Sequence, residues 1–177
     1  MDSPILIGLN IYEVVMIQQV KITLKSKSRG FHLVTGEIFA PLAYAVSPIN
    51  GDTQICKHTS CGLSINENAD PDVRVDMETI FNRLVPEMTN EREESDACIN
   101  SSERGGIRQS QNRPEYEHTL EGADDMPAHA KSTLSGVSLT IPITDGRLNM
   151  GTWQGIYFCE YRNYGGARKL VVTIIGE

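Results

Sequence analysis

The run HTLEGADDMPAH, from His118 to His129, places two of the chain's four histidines at the ends of a short acidic stretch. Imidazole nitrogens and carboxylate oxygens held by a rigid frame are what a divalent ion requires. His118, Glu121, Asp124, Asp125 and His129 supply that set within one loop, and His58 or Glu67 can complete it from another segment. Zinc or a similar transition ion would favour the histidines. Magnesium, or manganese, would favour the carboxylates and a substrate diphosphate. His58, Glu67, His118 and His129 are also the candidates for moving protons in catalysis. A structural reading stands beside this one. The carboxylates can cap turns and the helix that follows, for which Asp125 is well placed two residues before Pro127, and hydrogen bonds can satisfy the histidines.

Lys131, Arg147 and Arg162 are the cationic candidates for a phosphorylated ligand, since guanidinium matches phosphate bidentately. Arg162 can equally pair with Glu160 or another acid. In the run NENADPDV, Glu67 and Asn68 are assigned to a site, Asp70 to a helix cap and Asp72 to solvent. Trp153, close to Gly151 and Gly155, can stack on a heterocycle or wedge a strand bend, and the core position is preferred. Cys56, Cys61, Cys98 and Cys159 form no C-x-x-C knuckle and read as reduced thiols, with a soft metal site at Cys56 and Cys61 as the alternative.

A length of 177 residues suits one domain with a buried core. The net charge of −7 argues against a general nucleic-acid binder, which needs a basic footprint. The N-terminal stretch has no basic start, and Asp2 and Glu13 interrupt it, unlike a signal peptide. Its longest uncharged run, Ser3 to Tyr12, is far short of a membrane span. The expectation is a cytoplasmic protein with no membrane partner.

These residues must be positioned by alternating strands and two helices. In MIQQVKITL, Val20, Ile22 and Leu24 face one way and Lys21 and Thr23 the other. FHLVTGEIF reads as a second strand, and TQICKHTSCGLSI as two more, broken near Gly62. DPDVRVDMETIFNRLVP is the clearest helix: Asp70 caps it, Pro71 suits its first turn, and Pro86 stops it. Val73, Met77, Ile80, Phe81 and Leu84 give it one apolar face. PAHAKSTLSG reads as a short helix from Pro127 to Gly136. VSLTIPI, WQGIYFCEYR and RKLVVTIIGE read as strands, with turns at Asp145-Gly146 and Gly165-Gly166. Bulk on both faces of Tyr157 to Tyr161 suits a strand buried in a sandwich or at a subunit contact. The segment 88–114 is polar and poor in large apolar groups, and reads as a flexible insertion. The fold class is α+β: mostly antiparallel strands, one good helix and one short one.

Taken together, HTSCGLSINENADPDV, LVPE, HTLEGADDMPAHAK, SLTIPITDGRLNMGTWQGI, EYR and the closing RKLVVTIIGE resemble the YjbQ-like family, described as secondary thiamin-phosphate synthases. The resemblance covers residues 18–177 and departs from the family at the insertion 88–114. Residues 1–17 form a leader outside it. It implies an α+β fold with a β-sandwich-like core and a homotrimer with sites near subunit boundaries. It also implies a transferase that joins a pyrimidine diphosphate to a thiazole phosphate with loss of pyrophosphate. Metal-assisted hydrolysis of another small substrate, or a trimeric protein that binds a metabolite or metal without turnover, are the alternatives.

Overall fold

Alternation of apolar and polar side chains decides the architecture, because each strand buries only the face its period-2 pattern makes apolar. The computed structural model describes residues 16–42, 51–87 and 116–176. In chain order the elements are β1 (Met16–Leu24), β2 (Gly30–Leu33), α1 (Thr35–Phe39), a 3-10 turn (Ala40–Leu42), β3 (Gly51–Cys56), β4 (Cys61–Glu67), α2 (Asp72–Leu84), α3 (Asp125–Ser135), β5 (Ser138–Ile141), β6 (Ile143–Thr144), β7 (Arg147–Leu148), β8 (Gln154–Glu160) and β9 (Arg168–Gly176). One sheet runs β1-β9-β3-β5, a second β2-β8-β4, and β6-β7 form a hairpin. The strand pairs are antiparallel.

The two larger sheets face each other across one core. Ile22 and Leu24 of β1 and Leu170, Val172 and Ile174 of β9 meet Leu63 of β4 and Ile156 and Phe158 of β8. Each such fully buried aliphatic side chain contributes about 1.5–3 kcal/mol. The other face of β8 is also buried. Tyr157, Cys159 and Tyr161 join Phe31 and Ala128 in a second cluster, against which Met77 and Phe81 of α2 are packed. Phe81 stacks on Tyr161 with ring centroids 5.8 Å apart. The result is three layers: four strands, three strands, then α2 and α3. The bulk on both faces of β8 thus reflects a central strand covered on both sides.

Several sequence expectations are corrected. FHLVTGEIF is not one strand: β2 ends at Leu33 and α1 follows, because Val34 and Ile38, one helical turn apart, are both buried at 1% exposure. The break between β3 and β4 falls at Lys57–Ser60, not at Gly62, whose close contact with α3 keeps it inside β4. A Cβ at that position would stand 2.9 Å from the Gly136 carbonyl. On α2, only part of the expected face is covered. Met77 and Phe81 pack, while Ile80 and Leu84 are exposed. Trp153 is 64% exposed and is not a core residue. The segment 88–114 and residues 1–15 lie outside the described residues.

Local signals elsewhere hold. The Asp70 carboxylate accepts the Asp72 N–H at 2.8 Å at the start of α2. Gly136, at φ 81°, ends α3. Asp145 and Gly146 have φ 52° and 70° and close the β6–β7 hairpin, the conformation that an Asp-Gly pair favours.

Candidate metal centre

The acidic run is a turn followed by a helix. Gly122, at φ 109°, lets the chain reverse, and the turn hands over to α3 at Asp125. Asp125 and His129 are four residues apart, so they share one helix face. His118, before the turn, folds back onto that face. Its Nε2 lies 2.8 Å from Asp125 Oδ2, and His129 Nε2 lies 3.2 Å from the same oxygen. The two imidazole ring centroids are 5.5 Å apart. Asp125 is buried, while both rings keep one side toward solvent. The N-cap position of α3 belongs to Asp124, which makes no side-chain cap bond, and the carboxylate of Asp125, the first helical residue, turns to the histidines.

The third side of His129 fixes its tautomer. Its Nδ1 is 2.9 Å from the carbonyl oxygen of Thr59, which can only accept, so Nδ1 carries the proton. Nε2 then faces a carboxylate oxygen. That contact is favourable only with a proton or a cation between the two atoms. A backbone carbonyl behind one nitrogen and an open second nitrogen is the usual setting of a metal-bound histidine. Two ligands on a tetrahedral zinc ion, each about 2.0–2.1 Å from it, stand about 3.3 Å apart. The nitrogen–oxygen separations here are close to that, and the ligand atoms of His118, Asp125 and His129 all lie within 4.8 Å of one another.

Arg162 organises the acids. It pairs with Asp125 through Oδ1, leaving Oδ2 to the histidines. Its Nε donates to Asp124 Oδ2 at 3.1 Å and its Nη2 to the Glu121 carbonyl at 2.7 Å. The Asn163 N–H reaches the same Asp124 oxygen at 2.8 Å. Burial alone would raise the Asp124 carboxyl pKa, but the Asn163 N–H and the Arg162 guanidinium outweigh it and hold the group below its ordinary value. Asp124 is therefore a carboxylate held by other partners. Arg162, with its donors directed to acids and a carbonyl, positions the turn and is not a free phosphate ligand.

The other sequence candidates do not reach this cluster. Glu121 is exposed and contributes its carbonyl to Arg162. His58 lines a cleft of about 510 Å³ together with His129, Cys56, Thr59 and Thr133. Its Nε2 accepts the Lys169 N–H at 2.9 Å, which leaves the proton on Nδ1. Burial, then the nearby Arg168, lowers its pKa. Glu67 and Asn68 belong to the opposite end of the sheet, because β4 runs from Cys61 to Glu67, roughly 20 Å at about 3.3 Å per residue. Glu67 lines a separate cleft of about 470 Å³ with Asn66, Trp153 and Gln154. Arg147 stands exposed on β7 and lines neither cleft.

Lys131 is 1% exposed, and its ammonium donates to Asn82 Oδ1 at 2.5 Å. It is an internal residue and not a ligand-binding cation. Burial, then the Arg29 charge, lowers its pKa from 10.5 to about 8. Between those values the unfolded chain holds the proton and the folded one releases it, so this residue's penalty is full below pH 8 and fades as pH rises. The shift corresponds to about 3 kcal/mol. Lys131→Met is expected to be more stable than the parent at pH 7, with the gap closing by pH 10.5. Urea unfolding of both proteins across that range checks it, and a gap independent of pH would count against the buried ammonium.

Two determinants escaped the sequence. The Thr59 carbonyl is a backbone group and leaves no side-chain signal. The second is a buried ion pair: Arg168 donates to both oxygens of Glu160 at 2.6 and 2.7 Å. Glu160 is in phase with Ile156 and Phe158, so the strand period does place it between the sheets. Arg162 was a sequence candidate for pairing with Glu160, but only its backbone N–H reaches that carboxylate, at 3.1 Å.

Comparison with known proteins agrees with this fold. The profile of the family described as UPF0047 protein YjbQ-like matches residues 20–109 and 106–177. The UPF0047 protein YjbQ of Escherichia coli is 43% identical over 163 residues, covering 92% of this chain and all of that protein. The Salmonella typhimurium protein of the same name is 42% identical, again over 92% of this chain and all of its own length. Among solved structures, an uncharacterised YjbQ/UPF0047 protein from Clostridium acetobutylicum superposes with a TM-score of 0.66 at 29% identity, over 88% of this chain and 98% of its own. A protein of unknown function from Sulfolobus solfataricus shares the fold, with a TM-score of 0.69 at 18% identity over 93% of this chain and 100% of its own. The chain belongs to the YjbQ-like UPF0047 family.

Proposed function

We propose that the protein binds a divalent transition-metal ion through His118, Asp125 and His129. We infer that with it the protein acts on a small phosphorylated heterocycle, in the thiamin-phosphate synthase direction that the family resemblance implies. The observation that carries the metal reading is the fixed tautomer of His129, whose Nδ1–H is given to the Thr59 carbonyl while Nε2 faces Asp125 Oδ2 at 3.2 Å. Three protein ligands with an open side fit the pattern of a catalytic rather than a purely structural site. When bound, the ion supplies Lewis acidity that neutralises charge on a departing pyrophosphate.

The chain's own groups do the rest. Thr59 and Arg162 hold His129 and Asp125 in one orientation, which removes reorganisation during the reaction. His58, protonated on Nδ1, is a donor in the cleft that His129 also lines. Thr59 and Thr133 line the same cleft, and the Thr133 hydroxyl donates to the His129 carbonyl at 3.0 Å.

Calorimetric titration with zinc, manganese and magnesium tests the centre. Wild-type protein is expected to bind one of these ions. His118→Ala and His129→Ala are expected to lose that binding while circular dichroism shows them folded. Variants that bind as wild type does would refute the centre. A thiamin-phosphate product assay, with and without the bound ion, tests the reaction separately.

A further inference from the structure

Cys56 ends β3 and Cys61 opens β4, so the two thiols belong to different sheets and only residues 57–60 separate them. Their sulfur atoms are 2.9 Å apart. That is well inside the roughly 3.5–4.0 Å at which even carbon atoms pack without bonding. Both backbones are pinned. The Cys56 N–H donates to the Val137 carbonyl at 2.7 Å, and the Lys57 N–H to the Lys169 carbonyl at 3.1 Å. Ser132 Oγ donates to the Cys61 carbonyl at 2.7 Å, and Cys61 pairs with Glu160 in the β4–β8 ladder. The fold therefore holds the sulfurs together before any bond forms, and little search entropy remains.

Access is unequal. Cys56, itself only 4% exposed, lines the 510 Å³ cleft beside His58, whereas Cys61 lies behind it with no exposed surface. Nothing in the candidate metal centre uses either thiol. Cys159, the third cysteine among the described residues, is also fully buried but lines neither cleft.

We propose that Cys56 and Cys61 form a reversible disulfide site, in which Cys56 attacks a small disulfide that enters the cleft and Cys61 then closes the bridge between the two sheets. In the first step the Cys56 thiolate displaces one half of the external disulfide. A bond forms between Cys56 and one external sulfur, and the other leaves as a thiolate that takes up the Cys56 proton. The Cys61 thiolate then attacks Cys56 Sγ. The intramolecular bond forms, and the second external thiolate leaves with the Cys61 proton. The protein loses two electrons and two protons, and the external disulfide becomes two thiols. The hydrogen bond from Cys61, opposed by burial but aided by the His58 N–H and Arg168, lowers the Cys56 pKa, which suits the attacking sulfur.

The full-length protein is treated with cystamine, quenched by alkylation under unfolding conditions and mapped by mass spectrometry. Wild type is expected to yield a cross-linked Cys56–Cys61 peptide that dithiothreitol reverses, with Cys159 alkylated as a thiol. Cys61→Ala is expected to stop with half of the cystamine attached to Cys56. Cys56→Ala is expected to leave Cys61 unmodified. Wild-type protein in which both thiols are still alkylated overturns the proposal. So does a stable mixed disulfide on Cys56, or a bridge from either residue to Cys98. The wild-type result stands by itself if a variant fails to fold.

Discussion

Arg168→Met is expected to cost the fold about 3–5 kcal/mol, the usual penalty for removing one partner of a buried ion pair. Glu160 has no exposed surface and Arg168 only 6%. The guanidinium donates through Nε and Nη2 to the two carboxylate oxygens, and Nη2 also approaches Ser60 Oγ at 3.3 Å. The hydrogen bond to Glu160 is the main reason that the Arg168 pKa is raised, so the charge is present throughout the working range. With methionine in its place, the carboxylate has to stay charged without its cation or take up a proton, and either is costly in this interior. The paired change Glu160→Leu with Arg168→Met removes both charges and is expected to recover most of the loss, because desolvation of the pair is avoided. Guanidinium unfolding of the three proteins measures this. A single variant within about 1 kcal/mol of wild type would show that water already reaches the pair.

Asp125→Asn is expected to weaken zinc affinity by about 100-fold or more, beyond the roughly 10–100-fold typical of residues that only support a metal ligand. The substitution keeps the shape of the side chain but removes the charge shared by His118, His129 and Arg162. Asp124→Asn is the matched control. It touches Arg162 and the Asn163 N–H without facing either histidine, so its effect on affinity should be smaller. Competition against a zinc-sensitive dye gives both values, with circular dichroism confirming the fold. Equal effects of the two substitutions would mean that the acids act only by holding the turn.

Much of the scaffold is legible in local chemistry. The alternation of β1, the Asp70 start of α2, the Gly136 end of α3 and the Asp-Gly hairpin each depend on neighbours within a few residues, and the structure has them all. The pairing of acidic turn and histidines in HTLEGADDMPAH is legible for the same reason: a glycine turn and a helical i,i+4 step bring its ends together. Sequence also resolves the family: the ordered blocks from HTSCGLSINENADPDV to the closing strand carry the resemblance, and the family profile matches the same span.

Long-range placement required the tertiary structure. His58 and Glu67 stand nine residues apart and read as one block, yet β4 is extended and carries Glu67 to the opposite end of the sheet. Lys131 reads as a ligand-binding cation in sequence, but it follows Asp125 and His129 on α3 and is covered where that helix lies against the three-stranded sheet. Arg162 and Arg168 are both arginines near acids. Only the meeting of β8 and β9 across the core decides that Arg168 takes Glu160 while Arg162 turns to Asp124 and Asp125. Local periodicity sets which face of an element is buried; the packing of the two sheets sets which buried groups meet.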